Sequence, residues 1–539
     1  MNWKWTVLLV IGSLAIMLAM AGPQGDEDVT DIVITPKFET AGIIVATKAK
    51  SLSLEIERDG VFRPAHPFVR YDAGHMASSL FGLEPGKRYR VRIGGKHVRE
   101  FFTQKEFTMP RARKTVRVSS MEELQKAVAK VRPGTEILLA PGVYKGGLLI
   151  RRSGTPDAPI IIRGDVPPSS VSIDKREGLP VIEARGAESG IEIRDASYII
   201  LDSIRVQNGD KHGVYLRRAS HCVVQNMQIY DNGIWNLIIS KGGERAGKHL
   251  IQYNHVADLE HERFTFTYKR DPDVTYYGIQ QDNQGGWGTT IRGNIVEGHV
   301  DGIMSSGDES MLKNIPEDHP DVLSRWINRE VDIYDNIVRN QRDDAIEADG
   351  VCVNQRVFRN FFGRSQNATS VSPSGPGPFF FVRNIMVGYM EGGVKLNTGY
   401  GRGTIRNIYY YHNVFRPDPR NWLGGVLTIW KGTPSKNLFF RNNIFTGEVR
   451  AISFQGLAHV PDMDYDLWDA KDVDKARERF VSAGFPWEPH GVFGPARIDE
   501  NFRPMAGSPA IDRGVLLPGI NDDYKGAAPD IGAFEYEEG

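Results

Sequence analysis

Cysteine is nearly absent: the 539 residues hold two, Cys222 and Cys352. That excludes a disulfide scaffold and a cysteine-based zinc cluster. The two lie far apart inside apparent strands, so two separate buried thiols are expected. An excess of one charge is also missing. Lys and Arg total 66 against 67 Asp and Glu, a net charge of −1. This excludes a generally basic nucleic-acid binder and leaves only local patches to attract polyanions. There is no phosphate-cradling glycine loop, no serine nucleophile elbow and no zinc signature. The one long apolar run, Val7 to Met20, falls short of the roughly 20 residues that a membrane span needs. Ala19-Met20-Ala21 after it fits a small-x-small cleavage site, and polar Gly22 to Asp28 follows. Residues 1–21 are therefore expected to be a cleaved secretory signal. The mature chain would work outside the cell or in the periplasm, with no membrane attachment, as a monomer.

What is present is turn-rich and β-prone. Glycine is abundant, at 57 residues, without a collagen period, and 40% of the residues are hydrophobic. Residues 28–106 alternate apolar and polar, as in Leu52-Ser53-Leu54-Glu55-Ile56. This predicts a small β-sandwich. In Leu83 to Ile93, Pro85-Gly86 makes a turn, and Tyr89, Val91 and Ile93 then share a face. Tyr89 stands where a tyrosine corner would send its hydroxyl back to upstream backbone. The stretch resembles a fibronectin type III domain, which implies either a spacer or a sugar-binding module. Residues 107–118 read as a linker. Ser120 to Val131 reads as one amphipathic helix, with Ser120 as N-cap and Glu123 three residues on. Such a helix would cover the open end of a strand stack.

From there to about residue 500 one signature recurs: an Asn followed by one or two apolar residues at the close of a short strand. It occurs at Asn226, Asn254, Asn294, Asn336, Asn360, Asn384, Asn413 and Asn443. The shortest interval, 24 residues, occurs twice and is a solenoid period. A second strand follows most of these Asn positions, opening Gly302-Ile303, Ala345-Ile346 or Gly393-Val394. The predicted fold is all-β: a parallel β-helix over residues 119–500 with an N-terminal cap helix, preceded by the sandwich and closed by a cap or tail over residues 501–539. Stacked Asn side chains in a bend satisfy turn backbone and one another. They are assigned to structure and left out of the site.

Alternation along the Gly-Val-x-Leu strands sends apolar residues inward and the others outward. One outward column would run Tyr215, Gln280, Met304, Glu347 and Lys395. A second, two residues on, would run Arg217, Asp282, Ser306, Asp349 and Asn397. Asp343, Asp344, Glu347 and Asp349 place four carboxylates within seven residues. They repel unless a cation or base sits among them. Hard oxygens of this kind suit Ca²⁺, and Asp301 one coil earlier could add a ligand. On residues alone, a solvated acidic turn fits equally well. Lys395 lies among Gly392, Gly393, Gly399 and Gly401, which are expected to leave space around it.

Gly134 to Tyr144, then Pro159-Ile160-Ile161-Ile162-Arg163-Gly164, and the ending Gly507 to Asp512 with Pro529 to Tyr536, resemble secreted right-handed β-helix proteins of the pectate-lyase superfamily. Asp301, then Asp343, Asp344 and Glu347, then Lys395 look like polysaccharide lyase family nine. Glu347 stands where that family has Asp, and both intervals are lengthened. The resemblance implies a secreted, calcium-dependent β-eliminase of a uronic-acid polysaccharide. Asp301, Asp343, Asp344 and Glu347 would be Ca²⁺ ligands and Lys395 the base. Gln280, Asp282, Asp349, Asn397, Arg402, Trp430 and Lys431 are the expected contacts to an anionic glycan. Two other outcomes stay open: a non-catalytic glycan-binding β-helix, and a glycoside hydrolase on the same fold. The Gly-His-Gly and Arg-x-Lys companions of a polygalacturonase are absent, as is the Asp-Pro-His-Glu stretch of a mannuronan epimerase.

Overall fold

A computed structural model describes residues 29–539, apart from 168, 260–274, 283, 306, 308–310, 313–314, 326, 398–403, 422–423, 430–434, 455–460 and 539. The expected signal, 1–21, lies outside the described residues. Among these, no helix is long and apolar enough to cross a membrane.

The chain divides into two compact units. The first is built on two antiparallel sheets of four strands. One joins Val29–Pro36, Ala41–Thr47, His75–Leu80 and Val69–Arg70 in that order; the other joins Val61–Pro64, Leu54–Arg58, Arg88–Ile93 and His97–Phe102. Ile43, Val45, Ile56, Val91 and Ile93 fill the core of this β-sandwich. The Tyr89 hydroxyl accepts the Glu84 N–H at 2.8 Å, the upstream backbone contact that its position foretold.

The second unit is a parallel β-helix. Its described strands form three parallel sheets of 14, 13 and 11 strands. One coil illustrates the path. Val223–Gln225 lies in the first sheet and Gln228–Tyr230 in the second. Trp235–Ser240 lies in the third, and Leu250–Gln252 returns to the first. The corner between first and second sheet is a left-handed residue followed by Asn, as in Tyr253 (φ 56°) and Asn254. From Asn254 through Asn294, Asn336, Asn360, Asn384 and Asn413 to Asn443, each Nδ2 donates to the next Oδ1 at 2.9–3.0 Å. A buried amide column of this kind satisfies both its own polar atoms and the corner backbone. Asn226 does not belong to it. Asn226 occupies the left-handed position (φ 52°), and Met227 is the residue that meets Asn254, donating its N–H to Oδ1 at 3.0 Å.

Inside, rings stack from coil to coil, Phe381 on Tyr410 at 4.4 Å and Tyr410 on Phe440 at 4.8 Å. Cys222 and Cys352 are separate and buried, and burial pushes the Cys222 thiol up to about 12. The helix Met121–Lys130 caps the first coils through buried Leu124 and Val128. Ser120 Oγ accepts the Glu123 N–H at 3.2 Å. The Glu123 carboxylate reaches back to the N–H of Ser119 at 2.8 Å, one residue short of a reciprocal box with Ser120.

One boundary, and the packing of the tail, differ from those read in the sequence. Lys114–Val118 pairs in parallel with Thr135–Leu139, so the first sheet begins inside the expected linker. The tail does not cap the end. Phe502, Ala510, Ile531 and Ala533 pack on Val414, Ile444 and Leu467, outward residues of the second sheet. The C-terminal end is instead covered by the helix Val473–Ser482, through Phe480 stacked on Trp487 at 5.9 Å.

Candidate active site

Four successive strands of the third sheet make the site: Asp301–Met304, Asp344–Glu347, Asn367–Ser370 and Gly392–Leu396. Their registers align Met304, Glu347, Ser370 and Lys395 in one outward column. Earlier coils continue it through Gln280, Ile238 and Tyr215. Ile279, Ile303, Ile346 and Val394 between them are fully buried, so the alternation holds.

Lys395 is two coils past Glu347. Two coil spacings are about 10 Å, and only the small Ser370 stands between. The lysine lies back over it, placing Nζ 2.8 Å from Asp344 Oδ2 and 3.6 Å from Asp343 Oδ1. Its side chain keeps 20% of its surface exposed. Asp301, Asp343 and Asp344 each offer a carboxylate oxygen within 4.8 Å of the others. Asp301 Oδ1 also accepts the Asp344 N–H at 3.2 Å. Glu347 is outside this close trio.

The glycines here serve packing. A Cβ on Gly393 would lie 2.6 Å from a Phe415 ring carbon, and one on Gly302 2.4 Å from a Val338 methyl. The space expected around Lys395 therefore does not come from Gly393, which lies within the strand close against the Phe415 ring. Gly399 and Gly401 lie outside the described residues.

The charges are far from balanced. Burial, then the Asp343 charge, pushes Asp301 up to about 8. Burial and the neighbouring carboxylates hold Asp344 and Glu347 well above the ordinary range. For Lys395 burial acts downward, but the charges of Asp344, Asp343 and Asp349 outweigh it and keep the ammonium strongly protonated. Asp344 Oδ1 and Glu347 Oε2 are buried with no hydrogen-bond partner among the described residues. Unpaired buried acceptors are costly, and an oxygen-only set of this kind fits a hard divalent cation. The residues that could hold it are Asp301, Asp343 and Asp344, with Glu347 at the margin.

The expected glycan contacts divide. Gln280 is buried, accepts the Trp235 indole N–H and donates to Met304 Sδ at 2.9 Å. Asp349 is buried, and its Oδ1 accepts Ser370 Oγ at 2.8 Å and the Ser372 N–H at 2.5 Å. It braces the loop beside the site. Asp282 and Asn397 are half-buried, just past the ends of their strands. Arg402, Trp430 and Lys431 lie outside the described residues.

Three features escaped the sequence reading. One is the whole coil of Asn367 and Ser370, which opens without the Gly-apolar pattern. The 24-residue step from Asn360 to Asn384 required a strand there. Another is Glu391, whose carboxyl accepts Gln366 Nε2 at 2.7 Å and is raised by burial. The last is a row of rings in the column that holds Asp301 and Asp344: His212, Trp235 and Tyr277 in successive coils. His212 stacks on Trp235 at 5.1 Å and Trp235 on Tyr277 at 6.3 Å.

No family model matches the sequence, and no curated protein matches it. Solved structures do resemble it. Pectate lyase Pel9A is 17% identical with a TM-score of 0.43, over 79% of this chain and 98% of its own. The alginate lyase AlyGC of family PL6 is 14% identical with a TM-score of 0.46, over 79% of this chain and 59% of its own. The catalytic unit of the GH87 alpha-1,3-glucanase from Streptomyces thermodiastaticus is 11% identical with a TM-score of 0.41, over 86% and 88%.

Proposed function

We propose that this chain is a secreted or periplasmic polysaccharide lyase, cleaving a uronic-acid polysaccharide by β-elimination with the help of Ca²⁺. The observation that carries the reading is Lys395 Nζ, partly exposed and 2.8 Å from a buried carboxylate cluster that has oxygens to spare. Asp301, Asp343 and Asp344, with Glu347 beside them, would hold the ion. Bound there, it would supply Lewis-acid stabilisation of the charge that develops on the substrate's C6 carboxylate.

The chain's own part is proton handling. The charges of Asp344, Asp343 and Asp349 keep Lys395 protonated. Charge neutralisation at Asp344 and Asp343 removes the attraction that holds that proton, and a neutral amine can then act as base. Lys395 Nζ takes the proton at C5. The C5–H electron pair becomes the C4–C5 double bond, and the bond from C4 to the glycosidic oxygen breaks. The departing oxygen takes a proton from solvent. Base and carboxylate site serve a single sugar ring, which is why they lie within two coils. The N-terminal sandwich we read as a fibronectin type III-like module, and the working form as a monomer.

The test is ultraviolet absorbance of a 4,5-unsaturated uronate, followed on a panel of uronic-acid polysaccharides with Ca²⁺ or with chelator. A Ca²⁺-dependent rise that Lys395→Ala abolishes supports the proposal. Reducing ends without absorbance would mean hydrolysis. Glycan binding with neither would make the chain a non-catalytic binding protein.

A further inference from the structure

We infer that Asn367 Oδ1 is a further ligand of the cation held by Asp301, Asp343 and Asp344. This rests on the reading of that cluster as a cation site and assigns it a donor from a third coil. Asn367 stands in register with Asp344, one coil on, and is 1% exposed. Its Nδ2 donates to Asp343 Oδ1 at 3.3 Å, and its N–H donates to the Asp343 carbonyl at 3.1 Å. Both bonds fix the side chain at the carboxylate cluster. Its Oδ1, however, is buried with no hydrogen-bond partner among the described residues.

An orphaned buried carbonyl costs about 1–3 kcal/mol. The fold gives no reason to bear that cost. The in-register residue of the following coil is Gly392, so no neighbouring side chain in that column needs an amide. Three oxygens from two neighbouring strands share the same condition: Asn367 Oδ1, Asp344 Oδ1 and Glu347 Oε2. With the two carboxyls ionised, all three are acceptors, and a cation would satisfy them together.

The chemistry of the donor suits its place. The cluster already holds more carboxylate than Lys395 offsets, and a neutral amide adds coordination without adding charge. Size fits as well. Oxygens on opposite sides of Ca²⁺ are roughly 4.6–5.2 Å apart, against about 4.2 Å for Mg²⁺. The three carboxylate oxygens fall within 4.8 Å of one another, a spread that a Ca²⁺ coordination sphere can span.

Calorimetric titration of the full chain with Ca²⁺ tests this without any turnover. Asn367→Ala should weaken Ca²⁺ about tenfold or more, as loss of one supporting ligand does. It should also shrink the rise in melting temperature that Ca²⁺ produces. Asn367→Asp keeps the volume and adds charge, so it should tighten Ca²⁺ severalfold; it carries the test if the alanine variant does not fold. Wild-type affinity in Asn367→Ala, or no tightening in Asn367→Asp, while Asp344→Asn loses the ion, would overturn the assignment and leave the cation site standing. Unchanged binding in Asp344→Asn would overturn the cation site, and this inference with it.

Discussion

Replacing Asp466 by Asn should stabilise the β-helix, and only at neutral pH. Asp466 ends the buried Asn column. Its Oδ1 accepts Asn443 Nδ2 at 2.9 Å and the Asn443 N–H at 2.7 Å, as an Asn would. Its Oδ2 is buried with no N–H or hydroxyl donor among the described residues and meets the Glu488 carboxyl. The next coil presents Glu488, 4% exposed, which accepts the Asp466 N–H at 3.2 Å and the Trp468 indole N–H at 2.9 Å. Burial, then the adjacent Glu488 charge, holds Asp466 well above the ordinary range. Burial puts Glu488 at about 7, with Asp464 adding to the effect. The pair therefore keeps at least one proton that the unfolded chain gives up near pH 4. Holding a proton on an aspartate at pH 7 costs about 4 kcal/mol, three units at 1.36 kcal/mol each. An amide offers an N–H in place of that O–H without the cost, so about 4 kcal/mol is the upper bound of the gain and about 2 kcal/mol its expected size. The sign follows from the raised carboxyls. The folded chain binds more protons than the unfolded one between about pH 4 and 7, so wild-type stability falls as pH rises through that window. Asp466→Asn removes part of the fall. Melting curves at pH 4 and pH 7.5 should converge at the acid end and separate at the neutral end, with the variant higher. Equal curves at pH 7.5, or a gain of the same size at both, would refute the shared-proton account.

Three further outcomes follow from the same geometry. Arg356, fully buried, is held by Asp332 at 2.6 Å and Glu330 at 2.9 Å; Arg356→Met strands two buried carboxylates and should cost about 3–5 kcal/mol in a denaturant titration. Asn384 donates to Asn413 Oδ1 at 3.0 Å and to the Val357 carbonyl at 2.9 Å; Asn384→Ala should cost about 3 kcal/mol, since it orphans partners in two coils. Lys395→Ala should lower turnover on the polysaccharide about 10²–10⁴-fold, yet tighten Ca²⁺ binding measured by calorimetry, because it removes the cation that competes for Asp344.

Much of the fold was legible because a solenoid writes its period into the sequence. The Asn column and the outward column of Gln280, Met304, Glu347 and Lys395 needed only spacing and alternation. The miss at Asn226 shows where spacing alone fails. The corner has two polar-tolerant positions, a left-handed residue and the ladder residue, and both accept Asn. The site was partly legible for the same reason. Asp301, Asp343 and Asp344 come together because register places them together. What could not be read was the reach of Lys395. It depends on a coil whose outward residue is Ser370, and that strand carries no glycine opening to announce it. Nor could the sequence separate packing glycine from open glycine at Gly393, because what a Cβ would strike is an aromatic ring one coil away. The protonation of Lys395 was likewise a matter of distance, set by contact with Asp344 and not by residue type.

The most direct test of elimination is the mass of what is released. Wild-type chain, supplied with Ca²⁺ and a uronic-acid polysaccharide, should release oligosaccharides whose new ends are one water lighter than hydrolysis would leave them. Lys395→Ala should release them about 10²–10⁴-fold more slowly. Fragments carrying the full added water, or light fragments from Lys395→Ala at the wild-type rate, would contradict the account.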